Sequence, residues 1–407
     1  MGIGDRVDFL EWLGPDTSTI VFTLLDHPAD LARASAVSRS WRTFVIANQF
    51  SKIQCLRFCP EVSNFTSIEA SSSCSDVMEY VGSSAAAEWE NQKRDHRVYM
   101  HLSHSLLAPY SSRDCIIRCI GASSTDNFPQ ESIKNTLEPV DHVEMRPSYW
   151  SSGGQRDPSF PECLIYMLHS DLCLIDEIKI QPFKAFFQYS DPIYSSPYVR
   201  FRMGYPKLPL CPEQLVSDEK EGQLTADDNY IWTYTSPEFP MMQENVSQSF
   251  KLPHAILCIG GVAKIELLGR IQKQAMDGLY YICVSHVQIL GNPLSRKLAV
   301  APCENAVVLK YHQEPRRSNE SERKEKGLGV SASLGCRGRA PWLAVLEGNP
   351  EEEIVGGEGA AGEQWRRGGQ GRGGGRLDGG HRSSSERWSD NTHISDGSRT
   401  RRQKLSY

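Results

Sequence analysis

Over residues 6–60 apolar positions recur at helical spacing, in runs too short to hold themselves together. In GPDTSTIVFTLLDHP, Pro15 takes a first helical position, and Ile20/Leu24 and Val21/Leu25 are i,i+4 pairs. Pro28 opens a second helix, in which Asp30 suits the positive end of the dipole. SRSWRTFVIANQF predicts a third, with Trp41, Phe44 and Val45 on adjoining faces. Residues 61–92 then turn Ser-rich (SNFTSIEASSSCSD) and read as a linker with at most one weak helix. RDHRVYMHLSHSLLAPY, 94–110, is a firmer helix closed by Pro109.

From about 111 to 295 the period changes to two. EIKIQPF sets Ile178 and Ile180 against Glu177, Lys179 and Gln181, and VRFRMGY sets Val199, Phe201 and Met203 against Arg200 and Arg202. AKIELLG and YYICVSHVQILG alternate likewise. Such alternation between Pro/Gly-rich turns predicts half-buried antiparallel strands, and without helix-length spacers a parallel sheet is disfavoured. The acidic run SDEKEGQLTADDN, 217–229, is expected to be a solvated loop between strands. The predicted fold class is α+β and multidomain. A helical domain (6–60) is followed by the linker (61–92), then by a helix plus an antiparallel β-sandwich or jelly roll (93–300). A Gly/Arg-rich tail (301–407) lacks a periodic apolar face and is expected to be disordered and dispensable.

Charge and chemistry narrow the function. A net charge of -6 argues against a chain that coats nucleic acid, although the RRGGQGRGGGR tract leaves RNA binding as a third reading. No run reaches membrane-spanning length, and Arg6 stands where a myristoylation signal wants Ser or Thr. The expected location is cytoplasmic and/or nuclear. The 12 cysteines contain no CxxC pair, so they read as reduced, buried small hydrophobes; no metal or cofactor is expected. His96, His101 and His104 share one helix but lack a carboxylate at the spacing a metalloprotease motif needs. CIGGVAKIELLG lacks the Lys-Ser/Thr of a phosphate loop, and no nucleophile signature appears, which favours a binding protein over an enzyme.

The Leu13-Gly14-Pro15-Asp16 start, then Ile20, Leu24 and Leu25, then DLARASAVSRSWRTF resemble an F-box, the motif of substrate receptors in cullin-RING ubiquitin ligases. Two features depart from the family pattern: Gly14 separates Leu13 from Pro15, and KIQCLRF replaces an aromatic near the motif's end. The resemblance implies that Leu13, Pro15, Ile20, Leu24, Leu25, Leu31, Val37 and Trp41 form or support a surface for a Skp-type adaptor, and through it a cullin. Physically, three short helices present more apolar surface than they can bury among themselves.

ASSTDNFPQESIKNTLEP, then SYWSSGGQRDPSFPECLIYMLHSDLCLIDEIKI, resemble a galactose-binding-like, or discoidin-type, β-sandwich. Together the two regions resemble a plant F-box family carrying such a sandwich. Trp150 is expected in the core, with Ser151 and Ser152 in a tight turn. QYSDPIYSSPY, 188–198, is expected to expose Tyr189, Tyr194 and Tyr198 for an unknown target protein. The reading is a non-catalytic receptor subunit of a Skp-cullin-F-box ubiquitin ligase. The alternative is a carbohydrate- or peptide-binding adaptor protein without a ubiquitination role.

Overall fold

Asp8 starts the first helix by accepting the Leu10 N–H at 3.0 Å, in a computed structural model that describes residues 8–71, 84–140, 142–143, 146–208, 224–303 and 306–312. This helix, α1 (Phe9–Thr23), breaks at Gly14, whose φ of 74° is strained for any residue with a Cβ, and restarts at Pro15. Next come α2 (Pro28–Ser35), capped by His27 Nδ1, α3 (Arg39–Ala47), capped by Ser38 Oγ, and α4 (Phe50–Phe58). Phe22 sits at the centre of the four. Its ring meets Trp41, Phe44 and Phe50 at centroid distances of 5.3, 5.3 and 5.5 Å.

Strand β1 (Phe65–Ser71) and the long helix α5 (Ser84–Leu107) follow. The strands of the larger β region are β2 (Arg113–Asp114), β3 (Ile116–Ala122), β4 (His142–Val143), β5 (Arg146–Pro147), β6 (Trp150–Ser151), β7 (Glu162–Leu168), β8 (Leu172–Pro182) and β9 (Tyr198–Pro206). They continue with β10 (Tyr230–Thr235), β11 (Phe239–Pro240), β12 (Gln248–Ile259), β13 (Val262–Leu268) and β14 (Cys283–Pro293). The last two are β15 (Leu298–Cys303) and β16 (Ala306–His312).

The expected antiparallel sandwich is what these strands build. One sheet has the order β10-β9-β13-β7-β3 with β11 beside β9; the other has β12-β8-β14-β2 with β6 beside β14. Every pairing within them is antiparallel. Period-two alternation turns Leu164, Tyr166, Phe201, Met203 and Ile265 of the first sheet toward Ile175, Ile178, Ile180, Val287 and Ile289 of the second, all essentially inaccessible. Each such side chain contributes about 1.5–3 kcal/mol of burial. At the crossing from β12 to β13, Gly260 and Gly261 both take positive φ, and a Cβ on Gly260 would fall 2.1 Å from that of Tyr205.

The expected boundaries at 60/61 and 300/301 do not match the packing. The stretch read as a linker contributes β1 and the first two turns of α5, while the stretch read as a tail contributes the end of β15 and all of β16. β1 runs parallel to β16, with Phe65 opposite Val307 and Ile68 opposite Leu309, and β15 pairs antiparallel on its other side. Phe65, Ile68, Leu309 and Tyr311 share a core with Cys55 and Val62, with Tyr99 and Leu102 of α5, and with Leu172, Leu257 and Ile259 of the sandwich. The helices are therefore seated on one end of the sandwich, at odds with the expected separation by a linker. The pairing joins segments some two hundred and forty positions apart, which no local pattern in either one announces. The rest of the tail, 313–407, and the expectation of disorder placed on it lie outside the described residues.

Candidate partner-binding surfaces

Two surfaces stand out among the described residues. The first is the N-terminal helical face. Ile20 on α1 and Leu24 at its C-cap are 64% and 72% exposed, and Trp12, Val21 and, between α2 and α3, Val37 are exposed as well. Pro15 is exposed and Leu13 half-buried. The remaining predicted residues lie beneath this face: Leu31 is fully buried, Leu25 packs on the same core, and Trp41 is half-buried. Trp41 meets Phe9 and Phe22, and its Nε1–H donates to Asp8 at 2.7 Å. The eight positions thus divide into an outer set that can meet a partner and an inner set that holds α1 in place. Trp12 and Val21 were not in the predicted set. The Gly14 break hides Trp12, because it rotates Phe9–Leu13 out of phase with the helix that follows.

The second surface is the far end of the sandwich. Register places the ends of β3, β8 and β13 beside the starts of β7, β9 and β14, so the loops 123–149, 183–197 and 269–282 converge there. At this end Arg270 is fully buried. Its Nε donates to Phe160 O at 3.1 Å, and its Nη1 donates to Ser152 Oγ, Gly153 O and Tyr280 O at 3.0, 2.9 and 2.8 Å. Its Nη2 pairs with the buried Glu162, which also accepts from Ser123 Oγ. The guanidinium ties the 152–162 segment to the 269–282 loop, an arrangement suited to its planar fork of donors. Burial pulls Arg270 down from the usual guanidinium range, and Glu162 opposes that pull. Arg270 gave no sequence signal, since GRIQKQ reads as a polar turn.

Trp150 is fully buried in the core, and its Nε1–H donates to Ser124 O at 3.1 Å. Ser152 Oγ accepts the Ile282 N–H at 3.0 Å as well as Arg270. The three candidate tyrosines do not behave as a set. Tyr189 is 98% exposed and Tyr198 half-exposed, but Tyr194 is only 3% exposed, against the expectation that the loop displays all three. Its ring packs edge-on against Tyr281, and its hydroxyl donates to Gln188 Oε1 at 2.6 Å. The chain reverses here through Ser190 and Asp191, at φ of 67° and 46°, which turns Tyr194 inward as Tyr189 swings out. Beside Tyr189 stand exposed Phe186 and Phe187, which sequence reading passed over.

Elsewhere the predicted groups are dispersed. His96 is buried against Ser51 Oγ at 3.1 Å; burial, then Arg42 and Arg97, lower it to about 4. His101 instead stacks on Tyr311. Among the described residues, no group of three or more His, Cys, Asp or Glu is placed to hold a metal ion, and no helix is long and apolar enough to cross a membrane. The acidic run expected as a solvated loop is described only from 224. There Leu224 packs on the outer face of the sheet, and Asp227 joins Lys264 Nζ at 2.7 Å and Arg202 Nη1 at 2.8 Å. That end of the run is docked because two cations on neighbouring strands, Arg202 opposite Lys264, attract it.

No family model matches the chain. An F-box protein of Arabidopsis thaliana is 47% identical over 299 residues, a match covering 72% of this chain and 78% of that one. A family 32 carbohydrate-binding module of Clostridium perfringens, solved with galactose, aligns over 42% of this chain and 97% of its own, with 11% identity and a TM-score of 0.26. A fucolectin from striped bass (Morone saxatilis) serum aligns over 46% of this chain and 51% of its own, with 14% identity and a TM-score of 0.24.

Proposed function

The chain belongs to the F-box protein family, and on that premise we propose that it is a substrate-receptor subunit of a Skp-cullin-F-box ubiquitin ligase. In this reading the outer face around Ile20 and Leu24 docks a Skp-type adaptor, which joins the chain to a cullin. The far end of the sandwich holds the target protein. The observation that carries it is the exposed apolar set on α1, on a segment whose inner face is already committed to the Phe22 cluster. Isolated apolar side chains on a surface are ordinary, whereas Ile20, Val21 and Leu24 are exposed within one turn at the end of α1. The chain itself performs no chemistry in this role. It raises the effective concentration of a target lysine at a conjugating enzyme carried by other subunits.

The seating of the helices on the sandwich supports the same reading. A shared core through Cys55, Tyr99, Leu257 and Leu309 gives the target-facing loops a fixed direction relative to the adaptor-facing helices. Cys55 belongs to that joint: its Sγ lies 2.9 Å from Ser103 Oγ, and burial pushes its thiol up to about 12, so it acts as packing and not as a nucleophile. The deciding experiment is co-purification of the full chain with a Skp-type adaptor and cullin, in wild type and in an Ile20→Ala/Leu24→Ala double variant. Capture of both by the wild type and its loss in the double variant support the proposal. Absence of adaptor from the wild type removes it.

A further inference from the structure

Phe186, Phe187 and Tyr189 are exposed aromatics on the loop between β8 and β9, and packing holds the two phenylalanines in place. Phe183 stacks on Tyr149 at 4.0 Å and 10°, Phe186 and Phe187 pack on Phe183, and His142 stacks on Phe186 at 4.4 Å. Lys184 and Asp191 close the loop across its base at 2.8 Å, and Ala185 N–H donates to Pro192 O. Ser190 and Asp191 keep positive φ, a cost the rest of the loop must offset. Rigid aromatics held out in water lose little freedom on binding, which is what recognition surfaces use.

The ground beside the patch is anionic. Tyr149, which stacks near Phe187, donates its hydroxyl hydrogen bond to Glu131 Oε1 at 2.6 Å, and the Tyr281 hydroxyl donates to Asp277 Oδ2 at 2.6 Å. Asp126 lies near both carboxylates. Burial, then Asp277, hold its carboxyl above the ordinary range, and burial raises Glu131 in the same way. Among the described residues none of these three carboxylates is in an ion pair. Of the cations at this end, Arg270 pairs with Glu162, Lys184 pairs with Asp191, and Lys273 lies over the Tyr280 ring.

Carboxylates in no ion pair, beside exposed aromatic faces, suit a Lys- or Arg-bearing segment. Its ammonium or guanidinium groups can meet both carboxylate and ring. We propose that this end of the sandwich binds a basic stretch of polypeptide on the target protein, through the Phe186–Phe187–Tyr189 patch and the Asp126, Glu131 and Asp277 carboxylates. The assignment rests on the receptor reading only in naming the occupant as a target.

The test uses the full chain co-expressed with the Skp-type adaptor, challenged with a displayed library of random twelve-residue peptides. Enriched sequences are expected to be rich in Lys and Arg and to weaken as salt rises, because screening acts on exposed charge. The best peptide, synthesised and measured by fluorescence anisotropy, should bind the Asp126→Asn/Asp277→Asn variant roughly tenfold or more weakly, and Tyr189→Ala similarly. Tyr189 is almost wholly in solvent, so its truncation leaves folding intact. Enrichment of acidic or neutral peptides, no enrichment, or unchanged affinity in both variants overturns the proposal. So does binding of neutral glycans on a parallel array with no peptide bound. Adaptor co-purification, scored on the same samples, separates the two readings. Basic peptides captured without the adaptor leave this surface standing and remove the receptor role; adaptor bound without basic peptides does the reverse.

Discussion

Replacing Arg270 with Ala removes the tie between the 152–162 segment and the 269–282 loop. The side chain is fully buried, as is Glu162, so the variant leaves a carboxylate without its counter-charge. It also strips a donor from the carbonyls of Gly153, Phe160 and Tyr280. Breaking a buried pair from one side costs about 3–5 kcal/mol, because the desolvation already incurred is no longer offset. At about 2–4 °C per kcal/mol for a body of this size, the melting temperature should fall by roughly 6–20 °C. Thermal unfolding of the purified chain, followed by near-ultraviolet circular dichroism, measures it. Glu162→Gln in the Arg270→Ala background should recover part of the loss, since it removes the orphaned charge, making the two changes strongly non-additive. Arg270→Lys should fall between, because one ammonium cannot reach carbonyls spread around a planar fork. An Arg270→Ala protein within about 1 kcal/mol of wild type, or a double variant costing the simple sum, would refute the argument.

Other expectations follow from the same geometry. Leu24→Ala and Ile20→Ala should each weaken adaptor binding, by about 2 kcal/mol for a central anchor, without moving the melting temperature. Leu31→Ala, beneath that face, should cost about 2–5 kcal/mol of stability; calorimetry together with adaptor titration separates the two classes. Leu309→Ala should cost a similar amount, and removing 298–407 should unfold the joint between helices and sandwich. Removing only 313–407 should leave the melting temperature unchanged; equal loss in both truncations would mean that β16 is not what matters. His96, neutral and buried, is lowered to about 4 in the folded chain against 6.5 unfolded, so the unfolded state binds the proton first as pH falls. Stability from this group is complete above about 6.5 and is lost toward 4. A His96→Gln variant should show a shallower loss over that window, and an identical pH profile would exclude the linkage.

Sequence alone carried whatever depends on near neighbours. The helices around Pro15, Pro28 and Trp41, and the alternating strands through Ile178, Phe201 and Val287, each repeat a local period that one apolar face requires. The helix start at Pro15 was legible, as was the i,i+4 pairing of Ile20 with Leu24, whose exposure only the structure shows. Tertiary structure decided what depends on distant segments meeting. Leu31 and Leu24 look alike in the chain, and only the Phe22 cluster decides which is buried. Tyr194 and Tyr189 share a loop, and the reversal at Ser190–Asp191 sends them opposite ways. Arg270 becomes a tie only when carbonyls from residues 153, 160 and 280 converge on it. β1 and β16 become core only through parallel pairing of segments far apart in the chain, which leaves no local period because neither segment buries anything until the other arrives.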